Sequence, residues 1–412
     1  MSGGRGEALS ASACRDEATL RSFIETHISP NAWPIQSPAL KRQILEEGLD
    51  LEAARHFSMD VSAMDRLIRA MERRACRVER LLGIQNAFHT TLHNDEVLLR
   101  LLLLEWPDAA PLPNHVKDAA LRVYPNLDAM AVVLCDALGR MLEGGVPASV
   151  LARDLLAALG HDYGHSGGTD RMLPDGVPAP LTHEETAEKY VAPIGLAFGM
   201  PPALVLESMA GIRATTFHAR PGRPRIQAVT EFERRLTLAD VMGCVLPPHL
   251  WLTHVGMPVL VEKLPIWRRR LVQIPGELGA IEARLAVLPD DDPARAAILT
   301  EREALLLEDS RIVKHVEEWF RSERGFFIFI ESSRLGVVPR ARELWGDLLR
   351  SKIELMERVL ARKELLAPLA AQGFPLLGQY AEVLANAESL ESVIDQGNLD
   401  PGLCEILRMF LP

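Results

Sequence analysis

An all-α, compact multi-helix fold is predicted for this 412-residue chain, and three observations predict it. Leu, Ala, Glu and Arg abound while aromatic residues make up only 5%, a balance that favours helix over sheet. Apolar residues recur at i, i+3, i+4 and i+7 in one segment after another. Alternation with a period of two, the mark of a half-buried strand, is almost absent.

The stripes fall at 62–82, 95–105, 126–142, 148–159, 184–198, 202–213, 227–246, 297–319 and 341–367. In "ASVLARDLLAAL" (148–159), Leu151, Leu155, Leu156 and Leu159 lie on one helical face, and Pro147 stands where a first turn tolerates it. The breaks "WPDAAPLPN" (106–114), "LPDGVPAP" (173–180), "ARPGRPR" (219–225) and "LPDDDPAR" (288–295) combine Pro, Gly and Asp as turns require. Residues 276–319 carry many charges on a helical pattern, split by the last of these turns, and read as a solvent-facing helical hairpin.

Composition narrows the function classes. With 48% hydrophobic and 25% charged residues the chain is ordinary globular material. A net charge of -11 argues against nonspecific nucleic-acid binding, which needs a basic surface to displace phosphate counterions. It leaves a small anionic substrate open, because a bound metal reverses the local field. The five cysteines (Cys14, Cys76, Cys135, Cys244 and Cys404) are scattered with no C-x-x-C pair, so neither a disulfide framework nor a zinc knuckle follows. The first twenty residues lack an apolar core, and "VLLRLLLLEW" and "GFFIFI" fall short of a bilayer span. A cytoplasmic protein without membrane or nucleic-acid partners is expected.

Three polar clusters stand out. In "FHTTLHNDEV" (88–97), His89 and His93 are four apart and share a face if the segment is helical. In "GHDYGHSGGTDR" (160–171), His161 offers a borderline nitrogen and Asp162 a hard oxygen, a pair that suits zinc, manganese or iron. His165 is either a neighbour of that site or a helix-end hydrogen-bonding group. Asp240, in "LTLADVMG", is either a partnered buried carboxylate or a surface position on an amphipathic helix.

The order H-x-x-x-H, then HD, then a helical Asp resembles the HD-type metal phosphohydrolases, and among them the class I cyclic-nucleotide phosphodiesterase catalytic domain. That family's aromatic-H-N-x-x-H-A-x-D-V frame is occupied by Phe88 to Val97. Its H-D-x-D-H-x-G-x-x-N motif is similar to His161 to Asp170, its A-D pair to Ala239-Asp240, and its S-Q-x-G-F stretch to Ser322 to Phe326. The resemblance spans 88–326 in order. Its spacing departs, however: His93 to His161 and Asp240 to Glu323 are longer than the family's, and Asp162 to Asp240 is shorter.

The resemblance implies an HD/phosphodiesterase-like fold. Residues 1–80 would be an N-terminal helical cap on a catalytic domain of residues 81–412, with 276–319 an inserted hairpin. It implies two divalent metals. Zinc (or iron or manganese) would be held by His93, His161, Asp162 and Asp240, and Asp162 would also reach a more hydrated magnesium or manganese. A phosphoester, foremost a 3',5'-cyclic nucleotide, would be hydrolysed by a metal-bridging hydroxide with His89 as general acid. His165, Glu323 and Phe326 would face the substrate, and Glu184 and Glu185 fall where the family carries paired histidines. A homodimer is left open.

The departures gather on the substrate side. Glu323 replaces the purine-reading glutamine and, when ionised, only accepts hydrogen bonds. Gly164 stands where the family has the second aspartate of H-D-x-D-H, and Phe88 and Thr90 replace its Tyr and Asn. Phe326, at the base-stacking position, is retained, although a core aromatic is an equal reading. A different nucleotide or phosphoribosyl substrate therefore stays open, as does a catalytically silent nucleotide-binding scaffold.

Overall fold

The computed structural model describes residues 57–82, 88–165, 183–216, 227–263, 265–289, 291–369, 391–392, 394–395, 399 and 401–411. Among these there is no strand, and helices account for nearly all regular structure, so the chain is all-α as its periodicity predicts. It divides into two compact units, residues 1–120 with 126–243, and residues 121–125 with 244–412. Residues 1–56, most of the expected cap, lie outside the described residues. Helix Val61–Leu82 belongs to the first unit.

The first unit is built from α1 (Val61–Leu82), α2 (Thr91–Leu104), α3 (Leu127–Glu143), α4 (Ala148–Gly160), α5 (His183–Ala197), α6 (Pro202–Ala214) and α7 (Glu231–Val241). Its centre is α2, which packs against α3, α4 and α7. The run "VLLRLLLL" explains this placement. A helix apolar on every face has no side to give to water, and Val97 to Leu104 are all essentially inaccessible. Even Arg100 is enclosed, with its guanidinium on the Glu96 carboxylate at 2.8 Å.

α4 runs beside α2 and is also buried around most of its circumference, with Leu151, Ala152, Leu155, Leu156 and Ala157 at 0% exposure. The expected one-sided stripe is thus widened by small residues that let neighbouring helices come close. Gly160, its last residue, is the extreme case, because a Cβ there would stand 2.6 Å from Val191 Cγ2 of α5.

α7 starts at a capping box. The Thr230 hydroxyl accepts from the Glu233 backbone N–H, and the Glu233 carboxylate accepts from that of Thr230. Thr237 Oγ1, one turn before Asp240, donates to the Ala214 carbonyl at the end of α6 (3.0 Å) and so fixes how α7 is turned.

In the second unit, α8 (Pro265–Ala286) and α9 (Pro293–Phe329) form the helical hairpin that the charge pattern predicts. The turn "LPDDDP" stops one helix and starts the next, with Asp292 capping α9 through the Ala294 N–H at 2.8 Å. Ile281, Leu285, Ile298, Leu305 and Ile312 are buried along the seam, flanked by the Arg284–Glu301 and Arg302–Glu282 ion pairs at 3.0 and 2.6 Å. α10 (Pro339–Ala361) packs on α9. Its Lys352 is 1% exposed and spends its ammonium on the backbone carbonyls of Cys244 and Leu246. The turns over Pro248–Lys263, including a π-helical segment at Leu252–Gly256, have no counterpart among the predicted stripes. No helix among the described residues is long and apolar enough to cross a membrane.

Candidate metal centre

Three helices of the first unit deliver side chains to one point. His93 stands in the first turn of α2, where the Thr90 hydroxyl accepts from the His93 backbone N–H and caps the helix. Its neighbour Asn94 donates to the Leu159 carbonyl of α4 at 3.1 Å, which anchors this turn against the end of α4. His161 and Asp162 follow α4 directly. They are held by a turn in which Tyr163, buried, donates its hydroxyl to the Met71 carbonyl of α1. Asp240 lies in the last turn of α7.

The distances are those of a shared ligand sphere. His161 Nε2 lies 3.2 Å from Asp162 Oδ2 and 3.3 Å from Asp240 Oδ1; His93 Nε2 lies 3.7 and 3.5 Å from the same two oxygens. Four donors each about 2.1 Å from a tetrahedral ion stand about 3.4 Å from one another. His93, His161 and Asp240 meet the spacing required of a metal-holding group.

Hydrogen bonding points the same way. His161 Nδ1 donates to the Ala158 carbonyl at 2.8 Å, which turns Nε2 toward the two carboxylates and fixes the ring as outer partners fix ligating histidines. His161 Nε2, His93 Nε2 and Asp162 Oδ2 are buried without a hydrogen-bond partner. Orphaned polar atoms of this kind are costly, and several on one point need a common partner.

The electrostatics also require positive charge here. Burial pushes the His161 imidazolium down, but the Asp162 and Asp240 carboxylates outweigh it and hold that ring well above the ordinary histidine range. Burial works against both carboxylates, yet the facing imidazoles keep Asp162 well below the usual range and Asp240 at about 2. His93 goes the other way: burial lowers it despite the same carboxylates, with the His161 charge adding to the effect. The two carboxylates thus favour one positive charge at this point, carried by the His161 ring, and His93 prefers to be neutral, the state in which an imidazole ligates. The residues fit a divalent ion.

Beside this cluster stands a column of imidazoles. The His89 ring stacks on His165 with centroids 4.0 Å apart, and His165 stacks on His183 at 3.9 Å. Phe88 packs edge-on against His89 at 4.9 Å and tilted against His93 at 4.4 Å. The expected site residues His89, His93, His161, Asp162, His165 and Asp240 therefore come together. His183, first residue of α5, is the member that sequence reasoning missed; its only signal is a fifth histidine, in "LTHEE", beside the glutamates that the family pattern brings to notice.

Gly164 is the informative departure. It adopts φ +75°, in the left-handed region where an aspartate would be strained. Glu323 and Phe326 lie on α9 of the second unit, both half-buried, while Phe327 rather than Phe326 is the fully buried core aromatic, edge-on to Trp251 at 5.5 Å. Arg321 and Arg324 form ion pairs with Glu317 and Glu357. Neither a protein-family model, nor a curated protein, nor a solved structure matches the chain.

Proposed function

We propose that the first unit is a metal-dependent phosphohydrolase acting on a phosphoester, with a phosphodiester, foremost a cyclic nucleotide, as the substrate class. The convergence of His93 Nε2, His161 Nε2, Asp162 Oδ2 and Asp240 Oδ1, three of them orphaned, carries this reading. These four residues would hold the first ion, for which two nitrogens and two carboxylates suit zinc, iron or manganese. A divalent ion there supplies charge for the phosphoryl oxygens and a hydroxide at neutral pH.

The chain's own part is to hold and to protonate. Asp162 would also reach a second, more hydrated ion, magnesium or manganese in this reading. His89, half-buried with its ring 5.9 Å from that of His93, would give a proton to the departing ester oxygen. The departures of Gly164 and Glu323 from the cyclic-nucleotide pattern of the sequence make a nucleotide other than cAMP or cGMP the second reading.

The test is metal analysis of the purified protein beside turnover of cAMP, cGMP and bis(4-nitrophenyl) phosphate with manganese supplied. His161→Ala and Asp162→Ala are expected to lose bound metal and to lower turnover at least ~100-fold. Unchanged metal content and activity in both variants would sink the reading.

A further inference from the structure

We infer that His183 is a positioning residue for His89, acting through the ring of His165. The inference rests on the proposed role of His89 as proton donor, but its geometry stands apart from that role. His89 lies on the bend Phe88–Thr90 that precedes α2, so no helical backbone sets the plane of its ring. The plane is set by neighbours. Phe88 and His93 meet it in T-shaped contacts, and His165 stacks face-on against it, at 4.0 Å and 18°.

His165 is itself on irregular chain. It ends the turn after α4, one residue past the left-handed Gly164, with its N–H donating to the Asp162 carbonyl at 3.0 Å. The opposite side of its ring meets His183 at 3.9 Å and 21°. His183, 4% exposed at the start of α5, is the one member of the column that belongs to a helix. The stack therefore transmits the rigidity of α5 through two successive ring faces to a side chain that must aim a proton.

Stacking asks for a flat ring rather than for an imidazole. Phenylalanine at 183 should preserve the column and alanine should break it. Misplacing a catalytic group by about an ångström costs on the order of 100-fold in rate. His183→Ala is accordingly expected to lower kcat about 10- to 100-fold with KM and metal content held, and His183→Phe to stay within about 3-fold of the parent. A Phe variant as impaired as the Ala variant at full metal content would show that the imidazole's own chemistry matters and overturn the inference. Loss of metal in His183→Ala, or unchanged kcat, would overturn it equally.

A second readout needs no turnover. In protein labelled with 15N-histidine, long-range 1H–15N spectra should show the His89 ring signals broadened or displaced in His183→Ala and retained in His183→Phe. His89 signals unmoved by His183→Ala would refute the column whatever the assay gives. An inactive parent with the expected spectral response would instead count against the phosphohydrolase reading alone. His183→Gln, which keeps polarity but removes the aromatic face, replaces the Ala variant in both measurements if that variant fails to fold.

Discussion

Gly160→Ala tests how tightly α4 and α5 close behind the candidate metal cluster. The new methyl would lie 2.6 and 2.8 Å from the two Cγ atoms of Val191, and 3.2 Å from its Cβ. Val191 is fully buried and β-branched, so its methyls cannot swing away without meeting other neighbours. Overpacking of this kind costs about 1–3 kcal/mol. Against it stands at most about 1 kcal/mol of gained helix propensity, and less at the last residue of a helix. The balance is a loss of about 1–2 kcal/mol, read as a fall in melting temperature of about 2–8 °C for a unit of this size. His161 is the next residue, so the strain should also weaken metal retention. Val191→Ala removes the colliding methyls, and the double variant should lose less than the sum of the singles, with a coupling of about 1–2 kcal/mol. Paired thermal and urea melts measure this directly. A neutral or stabilising Gly160→Ala, or strict additivity in the cycle, would refute the close approach.

Asp154 and Lys352 give two stability tests elsewhere in the fold. Burial drives the Asp154 carboxyl up to about 7 despite Arg153, whose guanidinium donates to its Oδ1 at 2.7 and 2.9 Å. The folded chain therefore holds a proton that the unfolded chain releases near pH 4, so this contribution is complete below about pH 4 and is lost as the pH rises through about 7. Asp154→Asn should flatten that slope in melting temperature between pH 4 and 8; parallel curves for parent and variant would contradict it. Lys352→Met in the second unit leaves the Cys244 and Leu246 carbonyls without their donor. A loss of about 2–4 kcal/mol is expected in urea unfolding, and a change below about 0.5 kcal/mol would show that the ammonium is dispensable.

Much of the fold was legible because burial leaves a periodic trace. The bounds of α4 follow from four leucines and a proline, and the charged hairpin follows from "LPDDDP". α2 shows in the sequence both as the stripe at 95–105 and as an apolar run too short for a membrane, and its enclosure on every side is the consequence of that composition. The segment Pro248–Lys263 was illegible for a physical reason. Gly256 and Pro258 interrupt the pattern, and the π-helical turn at Leu252–Gly256 shifts the register by which periodicity is recognised. Asp240, left between core and surface by its sequence, resolves to a half-buried carboxylate at 17% exposure facing two histidines.

The candidate metal cluster and the imidazole column differ in what they ask of a sequence. Ligation would demand particular atoms, so His93, His161, Asp162 and Asp240 announce themselves by residue type and order. Orientation of a ring can be achieved by any flat neighbour at the right place, and His183 at a helix start has no spacing rule to betray it. Gly164 links the two. Its positive φ would strain the aspartate of the phosphodiesterase pattern, and the same turn returns the His165 N–H to the Asp162 carbonyl and brings the His165 ring between His89 and His183. What reads in the sequence as a missing carboxylate is, in three dimensions, the bend that assembles the column. The departure from the family pattern and the residue that the pattern could not find are therefore one structural feature.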